Sequence, residues 1–218
     1  PGFPAGSVAV HDGTAAFASR GLVLSFFGKS SHASQPENGH NPARAISKLI
    51  IDIPELTARE EHRGIVMATV VCVRIGEEAF GTNAGFGQLM LTIRAEFESE
   101  LDALDAEICA RARAYARQDG ITNVEVQYRD SFPETRNTPD AVAAVRKARL
   151  ECGLPEAHWD EPFRSSEDFG CYTKLTSGAL FYIGCGTRHA QLHTREYDFN
   201  DEIIEPAVDM MFRLAQDA

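Results

Sequence analysis

Hydrophobic and polar residues alternate along this chain with the two periods that distinguish strands from helices. The clearest alternation covers residues 86–97, where Leu89, Leu91 and Ile93 share one face while the mostly polar set Gln88, Met90, Thr92 and Arg94 occupies the other. A period of two predicts a half-buried strand. Apolar positions in residues 45–53 recur instead at three- and four-residue spacing, which predicts a helix with one buried face.

Six such elements follow one another between residues 18 and 129. Strands are predicted at 22–27, 65–75, 86–97 and 124–128. One helix is expected to start at Asn41 and to end at Pro54. The other is expected to start at a capping box of Ser99 and Asp102 and to end at Gly120. The order β-α-β-β-α-β predicts a ferredoxin-like domain, with one sheet carrying two helices on one face.

The segments on either side of this domain have a different character. Residues 1–17 are rich in Gly and Pro around a short strand, which indicates a piece of another domain's sheet. Residues 130–218 predict a helix that starts at Thr138 and ends at Gly153, a buried strand at 179–183 and a last helix starting near Glu205. We therefore expect an α/β (α+β) fold in three segments, namely 1–17, 18–129 and 130–218.

Composition excludes several classes of function. The 218 residues carry a formal net charge of −11, and a pI of about 5.1 argues against nucleic acid, which requires a basic surface. No apolar run reaches the ~18 residues of a membrane span, and no signal peptide opens the sequence. Five cysteines without a paired spacing argue against a disulfide framework, so we expect a reduced, cytoplasmic protein.

One histidine near the end of the chain is a candidate metal ligand. His193 follows a Gly-rich turn and precedes an acidic, aromatic segment and the last helix. The neighbouring Glu196, Asp198 and Asp201 fit either a shell that orients the ligand or a solvated acidic run. His189 has no matching pattern and is interpreted as structural. A hydrolytic zinc site requires about three or four ligands, and the sequence offers only one convincing candidate.

Four motifs occur in order along the chain, namely Pro-Gly-Phe-Pro-Ala-Gly-Ser at 1–7, Gly-Lys-Ser-Ser-His-Ala-Ser-Gln-Pro at 28–36, Ser-Glu-Asp-Phe at 166–169, and Leu-His at 192–193 with Phe-Asn-Asp at 199–201. Together they resemble the motifs of the bacterial amidohydrolases that include hippurate hydrolase, N-acyl-amino-acid amidohydrolase and the plant auxin-conjugate hydrolases, within the wider dizinc exopeptidase group. In that family a metal-binding histidine precedes the Pro-Gly of the first motif, and other ligands and the catalytic Glu lie further upstream. The resemblance thus implies that this chain lacks the N-terminal part of the catalytic domain.

The resemblance also implies a role for residues 18–129. They would form a lid and dimerisation domain through which two subunits form a homodimer. His32 would reach the partner's active site and stabilise the oxyanion of the scissile carbonyl. Asn83 and Arg94 would hold the substrate, the Arg by pairing with a carboxylate. The chain departs from the family pattern after Asn83, where Ala-Gly-Phe replaces Val-Ile-Pro, so the register of Arg94 is open.

In the last segment the resemblance implies that His193 binds a metal. Gly184 and Gly186 would bring main chain close to the substrate, and Glu167 would contact the substrate or orient a ligand. The full enzyme would hold two divalent ions, zinc or else manganese, cobalt or nickel. This chain alone would hold metal weakly or not at all.

Together these inferences predict metal-dependent hydrolysis of the amide bond of a small N-acyl amino acid or a related conjugate. Two alternatives stay open. One is a non-catalytic dimerisation or binding module, and the other is a dipeptidase or desuccinylase of the same group.

Overall fold

The computed structural model describes residues 2–190 and 192–216, so the predicted motifs and segments that include residues 1, 191, 217 and 218 extend outside the described residues. The described strands are β1 (Val8–Ala9), β2 (Gly13–Ala16), β3 (Ala18–Phe27), β4 (Ser31–His32), β5 (Val66–Ile75), β6 (Thr82–Asn83), β7 (Phe86–Ala95), β8 (Asn123–Phe132), β9 (Thr135–Asn137) and β10 (Tyr182–Ile183). The described α-helices are α1 (Ala43–Thr57), α2 (Glu98–Gln118), α3 (Pro139–Glu151), α4 (Gly170–Thr173) and α5 (Ile204–Gln216), with 3-10 turns at Pro36–Asn38 and Asp201–Ile203.

The chain divides into two compact units. The inserted unit comprises Phe17–Pro133, and the flanking unit comprises the residues up to Ala16 together with those from Glu134 onward.

The inserted unit is built on one antiparallel sheet of four strands in the order β5-β7-β3-β8. β3 pairs with β7 from Ala18 opposite Ala95 to Phe27 opposite Phe86. Strands that follow one another through a helix are thus separated by an inserted antiparallel strand, as in the split βαβ arrangement. The predicted α/β fold class, with its ferredoxin-like unit, is confirmed.

One face of this sheet forms the core against α1 and α2. The alternating residues of β7 predicted to be buried, Leu89, Leu91 and Ile93, pack in one cluster with Leu49 of α1 and Ile108 of α2. Each fully buried side chain of this size stabilises the fold by roughly 1.5 to 3 kcal/mol. The buried faces predicted from the strand and helix periodicities of the sequence therefore pack against each other in a single core.

Helix α1 does not end at Pro54 as the sequence predicted. It continues to Thr57, and the Pro54 carbonyl accepts a hydrogen bond from the Ala58 amide at 3.2 Å. Proline removes its own N–H from the helical ladder, which destabilises the helix. Leu56 is only 1% exposed, and its burial offsets part of that cost.

The predicted capping box of α2 is also wrong. The helix begins at Glu98 behind an N-cap residue, Phe97, that makes no side-chain capping bond. Asp102 pairs instead with Arg20 at 2.9 Å, beside a second ion pair of Arg20 with the buried Asp105 at 2.6 Å. The carboxylates in the first turn still interact favourably with the positive end of the helix dipole.

The flanking unit contains two short antiparallel strand pairs, β1 with β10 and β2 with β9. The sequence did not predict β2 and β9, and the buried strand that it predicted at 179–183 is reduced to the two half-buried residues of β10. The Asn137 side chain binds both the amide and the carbonyl of Leu180 at 2.7 and 2.9 Å. The Asn137 side chain thus makes the two hydrogen bonds to Leu180 that the main chain of a neighbouring strand would otherwise make.

Two further observations concern the environment of the chain. Among the described residues, none of the helices combines the length and apolar character that a membrane span requires.

The five cysteines are free thiols, and burial raises the pKa of Cys109 to about 12. A thiol of that kind is inert at neutral pH.

His62 links the end of α1 to the start of α2. Its Nε2 lies 2.9 Å from the Leu56 carbonyl oxygen and its Nδ1 lies 2.9 Å from a Glu100 carboxylate oxygen. A carbonyl and a carboxylate oxygen accept hydrogen bonds, so the doubly protonated, charged imidazole satisfies both contacts and this pair of oxygens favours it over the neutral ring. The bond to Leu56 and then the bond to Glu100 raise the pKa of His62 above its ordinary value.

This linkage makes the stability of the inserted unit depend on pH. Because the folded pKa is raised, the stabilisation by His62 is fully present below about pH 6.5, the ordinary histidine pKa. It is lost as pH rises through the folded value. We expect His62→Gln to lower the free energy of unfolding by about 1 to 2 kcal/mol at pH 5.5 and by less at pH 9, measured by urea denaturation.

The exposed His158 is the matched control, and His158→Gln should give a small difference at both pH values. A cost of His62→Gln that stays the same across this range would contradict a charged His62.

Candidate functional site

His32, the predicted oxyanion donor, lies on a short strand pair outside the main sheet. β4 pairs with β6 so that Ser31 is opposite Asn83 and His32 is opposite Thr82. The His32 side chain is exposed, in a loop that leaves β3 and returns to the start of α1. The structure therefore brings two of the predicted site residues, His32 and Asn83, onto neighbouring strands.

The hydrogen bonds of His32 fix its tautomer. Nδ1 lies 3.1 Å from the backbone nitrogen of Ser34 and 2.7 Å from the Ser34 hydroxyl oxygen. An amide N–H only donates, so Nδ1 accepts and the neutral ring carries its proton on Nε2. An exposed Nε2–H is the kind of donor that an oxyanion requires.

The side chain of Asn83 is committed to protein partners. Its Oδ1 accepts a hydrogen bond from Asn41 Nδ2 at 2.8 Å, and its Nδ2 donates to the Ser31 hydroxyl at 3.0 Å. A longer contact of 3.4 Å joins Nδ2 to the Pro36 carbonyl. The substrate-binding role predicted for Asn83 stays a prediction, and its amide already holds the loop together.

Arg94 lies near the end of β7, in the middle of the sheet. Its neighbours across the two ladders are Ser19 and Met67. It alternates with the buried Ile93 and Ala95 and is half-buried on the face opposite the helices. Its role as a carboxylate-binding residue stays a prediction.

In the flanking unit the two predicted glycines lie in a loop that pairs with the start of the chain. The amide of Gly184 donates to the Ser7 carbonyl at 2.8 Å and that of Gly186 to the Phe3 carbonyl at 3.0 Å, while the Gly6 amide donates back to Gly184 at 2.9 Å. The first motif of the sequence and the Gly-Cys-Gly turn at 184–186, far apart along the chain, are therefore joined main chain to main chain.

Glycine is required at position 184. A Cβ there would lie 2.0 Å from the Pro4 carbonyl oxygen and 2.9 Å from Phe3 Cβ. Gly186 has open space around it but a φ of +121°, where side chains are strained. The close approach that the resemblance implied for a substrate is used here between two loops of the protein.

A shallow, open depression of about 780 Å³ lies beside this loop pair. Its lining includes Cys185, Arg188, His189 and Asn200. Asn200 donates to the Cys185 carbonyl at 3.0 Å and accepts from the Glu202 amide at 3.1 Å. Sequence reasoning missed Arg188, although its position two residues after the Gly-Cys-Gly turn could have indicated a residue at the edge of this depression.

Glu167 is exposed, and its negative charge acts on Tyr182 of β10. Burial raises the pKa of Tyr182 to about 12, and the negative charge of Glu167 adds to that effect. Tyr182 also packs against Trp159 and Phe163, with ring centroids at 5.1 and 4.8 Å. Glu167 thus lies near the strand that leads into Gly184, and the role predicted for it stays a prediction.

His193 is exposed and has an unusual backbone. Its φ is +65°, a region that non-glycine residues rarely occupy and that is enriched at functional sites. No group of three or more His, Cys, Asp or Glu side chains that could hold a metal ion is found among the described residues. These residues alone therefore do not form a complete metal centre, and the role of His193 as a ligand stays a prediction.

Comparison with known proteins identifies the relatives of this chain. The family described as "Peptidase family M20/M25/M40" matches residues 5–217. An N-acetyldiaminopimelate deacetylase of Shouchella clausii is 26% identical over 97% of this chain and 56% of its own length. A hippurate hydrolase of Campylobacter jejuni is 22% identical over 88% of this chain and 50% of its own length.

Solved structures show the same fold. The Bacillus subtilis YXEP protein, a dinuclear metal-binding peptidase from the M20 family, superposes with a TM-score of 0.76 at 17% identity, over 99% of this chain and 54% of that one. An aminobenzoyl-glutamate utilization protein from Klebsiella pneumoniae gives 0.76 at 17% identity, over 98% and 51%. The chain spans about half the length of the relatives that it matches.

The loop pairing around Gly184 gives a direct test of this part of the structure. We expect Gly184→Ala to destabilise the flanking unit by about 2 to 3 kcal/mol, because the new methyl group overlaps a main-chain carbonyl. Urea denaturation followed by the fluorescence of Trp159, the single tryptophan of the chain, measures it.

Gly178→Ala is the control, since a Cβ at that position meets its nearest neighbour, Thr173 Cγ2, at an ordinary 3.4 Å. Equal stability of the two variants would show that the two loops are not held this closely.

Proposed function

The chain belongs to the peptidase family M20/M25/M40, and we propose that it supplies part of a metal-dependent amidohydrolase that cleaves the amide bond of N-acyl amino acids or related small conjugates. The observation that carries the proposal is the match of this family over residues 5–217. A deacetylase and a hippurate hydrolase among the relatives support a substrate with an acylated amine.

His32 is the residue to which we assign direct contact with the reacting carbonyl. Its exposed Nε2–H can donate to the oxygen on which negative charge develops, and the bonds to Ser34 keep Nδ1 from competing for that proton. Donors of this kind stabilise the transition state more than the ground state. In the proposed homodimer His32 serves the active site of the other subunit.

Four more of the predicted residues act on the substrate in this proposal. Arg94 pairs with its carboxylate, a task suited to a planar guanidinium. The turn that contains Gly184 and Gly186 lies against the substrate, and the open space around Gly186 lets the substrate approach the main chain. Glu167 contacts it or orients a neighbouring group.

We propose that the enzyme uses two divalent ions, zinc or else manganese, cobalt or nickel, and that His193 is one of the ligands. A single imidazole does not hold such a centre, so the other ligands come from residues other than those described. We assign no catalytic step to the metals from this chain alone.

A second observation supports completion of the flanking unit by further polypeptide. In α5 Met210 is the buried residue, whereas a stripe at helical spacing is exposed, formed by Ile204, Val208, Met211 and Phe212. Apolar patches of this kind mark surfaces that other protein covers. The alternative, a non-catalytic dimerisation or binding module, applies to the chain in isolation and draws on the same lack of a metal centre among the described residues.

The first test concerns metal and activity. We expect this chain alone to retain much less than one zinc ion per chain after dialysis and to hydrolyse neither hippurate nor N-acetyl amino acids. The chain extended by the residues encoded upstream in its gene should bind about two divalent ions and turn over at least one of these substrates.

In the extended protein His193→Ala should lower the metal content, and the exposed His158→Ala should not. Stoichiometric zinc or turnover in the unextended chain would contradict the division of ligands. A metal-loaded, extended protein that hydrolyses no acylated amine would contradict the proposed function.

The second test concerns assembly. β5 is an edge strand of the sheet, and its Val71 is 62% exposed. Exposed apolar edges pair with other chains, so we propose a symmetric homodimer through the inserted unit. Val71→Lys should shift the dimer towards monomer in sedimentation velocity at micromolar concentration.

Leu150→Lys, an equally exposed apolar position on α3 in the flanking unit, should leave the dimer intact. A wild-type chain that sediments only as a monomer would count against the proposal.

A further inference from the structure

A small pocket lies beside the strand pair that carries His32. Its volume is about 200 Å³, and its lining includes Ser30, Glu77, Thr82, Ala84 and Phe86. Thr82 is directly opposite His32 in the pairing of β4 with β6. Residues directly opposite each other in an antiparallel pair place their side chains on the same face. One wall of the pocket and the His32 imidazole therefore belong to the same face of this strand pair.

The main chain around the pocket is hydrogen-bonded and closely packed. The Gly76 amide donates to the Phe86 carbonyl at 3.0 Å. A Cβ on Gly76 would lie 2.7 Å from Ala84 Cβ, and a Cβ on Gly85 would lie 2.3 Å from the Ser30 amide nitrogen. The shape of the pocket is thus set by the protein before any ligand binds, as in most small-molecule sites.

One wall of the pocket is aromatic. Phe86 is 42% exposed, and Phe27, its neighbour on β3, packs against it with ring centroids 5.2 Å apart. An exposed aromatic ring held in this way binds an apolar group of a ligand. A cavity of about 150 Å³ accepts a benzene ring, so this pocket has room for one ring or a short branched chain.

The charge of the pocket indicates which part of a substrate fits. Among the described residues that line it, Glu77 is the single charged one, and its carboxylate disfavours a second carboxylate nearby. An N-acyl amino acid carries its carboxylate on the amino-acid side of the scissile amide. The acyl group on the other side is therefore the part that this pocket favours.

We propose that this pocket binds the acyl group of the substrate and selects neutral acyl groups no larger than a single ring. Glu77 rejects dicarboxylic acyl groups such as succinyl, which disfavours the desuccinylase alternative. The inference rests on the proposed function, because the acyl group is bonded to the carbon whose oxygen His32 would bind. In the proposed homodimer the pocket serves the same active site as His32.

The aromatic wall can be tested in the extended, metal-loaded enzyme with substrates that share glycine as the amino acid. Phe86→Ala should lower the ratio of kcat/KM for N-benzoylglycine to kcat/KM for N-acetylglycine by about three- to tenfold, because the benzoyl ring loses its aromatic contact. Phe80→Ala is the matched control. Phe80 is 97% exposed in the turn of the same hairpin and is not part of the lining, so the ratio should stay as in the wild type.

The charge can be tested with a variant that keeps the shape of the pocket. Glu77→Gln should raise the ratio of kcat/KM for N-succinylglycine to kcat/KM for N-acetylglycine by about three- to tenfold, because the like-charge repulsion is removed. Glu78→Gln, at the neighbouring exposed acid outside the lining, should leave this ratio as in the wild type.

Two results in an active enzyme would overturn the inference. One is that Phe86→Ala and Glu77→Gln both leave their ratios as in the wild type. The other is that Phe86→Ala changes the preference among amino acids at a fixed benzoyl group and leaves the preference among acyl groups unaltered, which would assign the pocket to the amino-acid side.

Binding to this chain alone separates the pocket from the proposed function. Benzamide at millimolar concentration should cause saturable shifts in the NMR amide signals of Thr82 and Ala84 in the wild type and in Phe80→Ala, and weaker shifts in Phe86→Ala. Succinamate should cause none. The absence of saturable shifts with benzamide would overturn the inference. Shifts as expected, together with an extended, metal-loaded enzyme that cleaves no acylated amine, would contradict the proposed function and support the pocket.

Discussion

In both candidate regions two stretches of main chain lie in contact at a glycine. Any other residue there would place its Cβ too close to the neighbouring main chain. At Gly184 the missing side chain lets the loop after β10 meet the carbonyl of Pro4, which joins the start of the chain to its last quarter. At Gly85 the same constraint brings the segment after β6 against Ser30, beside His32. Loops are ordinarily the variable part of a fold. Here direct main-chain pairing gives them the precision of regular structure.

The inserted unit could be predicted from the sequence because each of its strands and helices has a clear hydrophobic periodicity. The alternation of Leu89, Leu91 and Ile93 specified both the strand and its buried face, and the order of elements specified the sheet. The errors occurred where tertiary contacts override a local signal. Burial of Leu56 carries α1 past Pro54, and the pairing of Asp102 with Arg20 replaces a helix cap.

The flanking unit was harder to predict because side chains replace strands there. Asn137 binds the main chain of Leu180 at both its amide and its carbonyl, and no periodicity in the sequence indicates such a contact. The candidate residues His32 and His193 came from motifs and resemblance, since a lone exposed histidine has no periodic signature. What no motif revealed is the network around Asn83, because the partners of an amide depend on the fold.

We propose that two subunits share each active site, with His193 holding metal in one subunit and His32 reaching that site from the other. The most direct measurement mixes His32→Ala and His193→Ala subunits of the metal-loaded enzyme, each of which should be nearly inactive alone. If subunits exchange freely, half of the dimers are hybrids with one intact site, so about a quarter of the wild-type activity should return. No recovery in hybrids whose formation has been verified would contradict the claim.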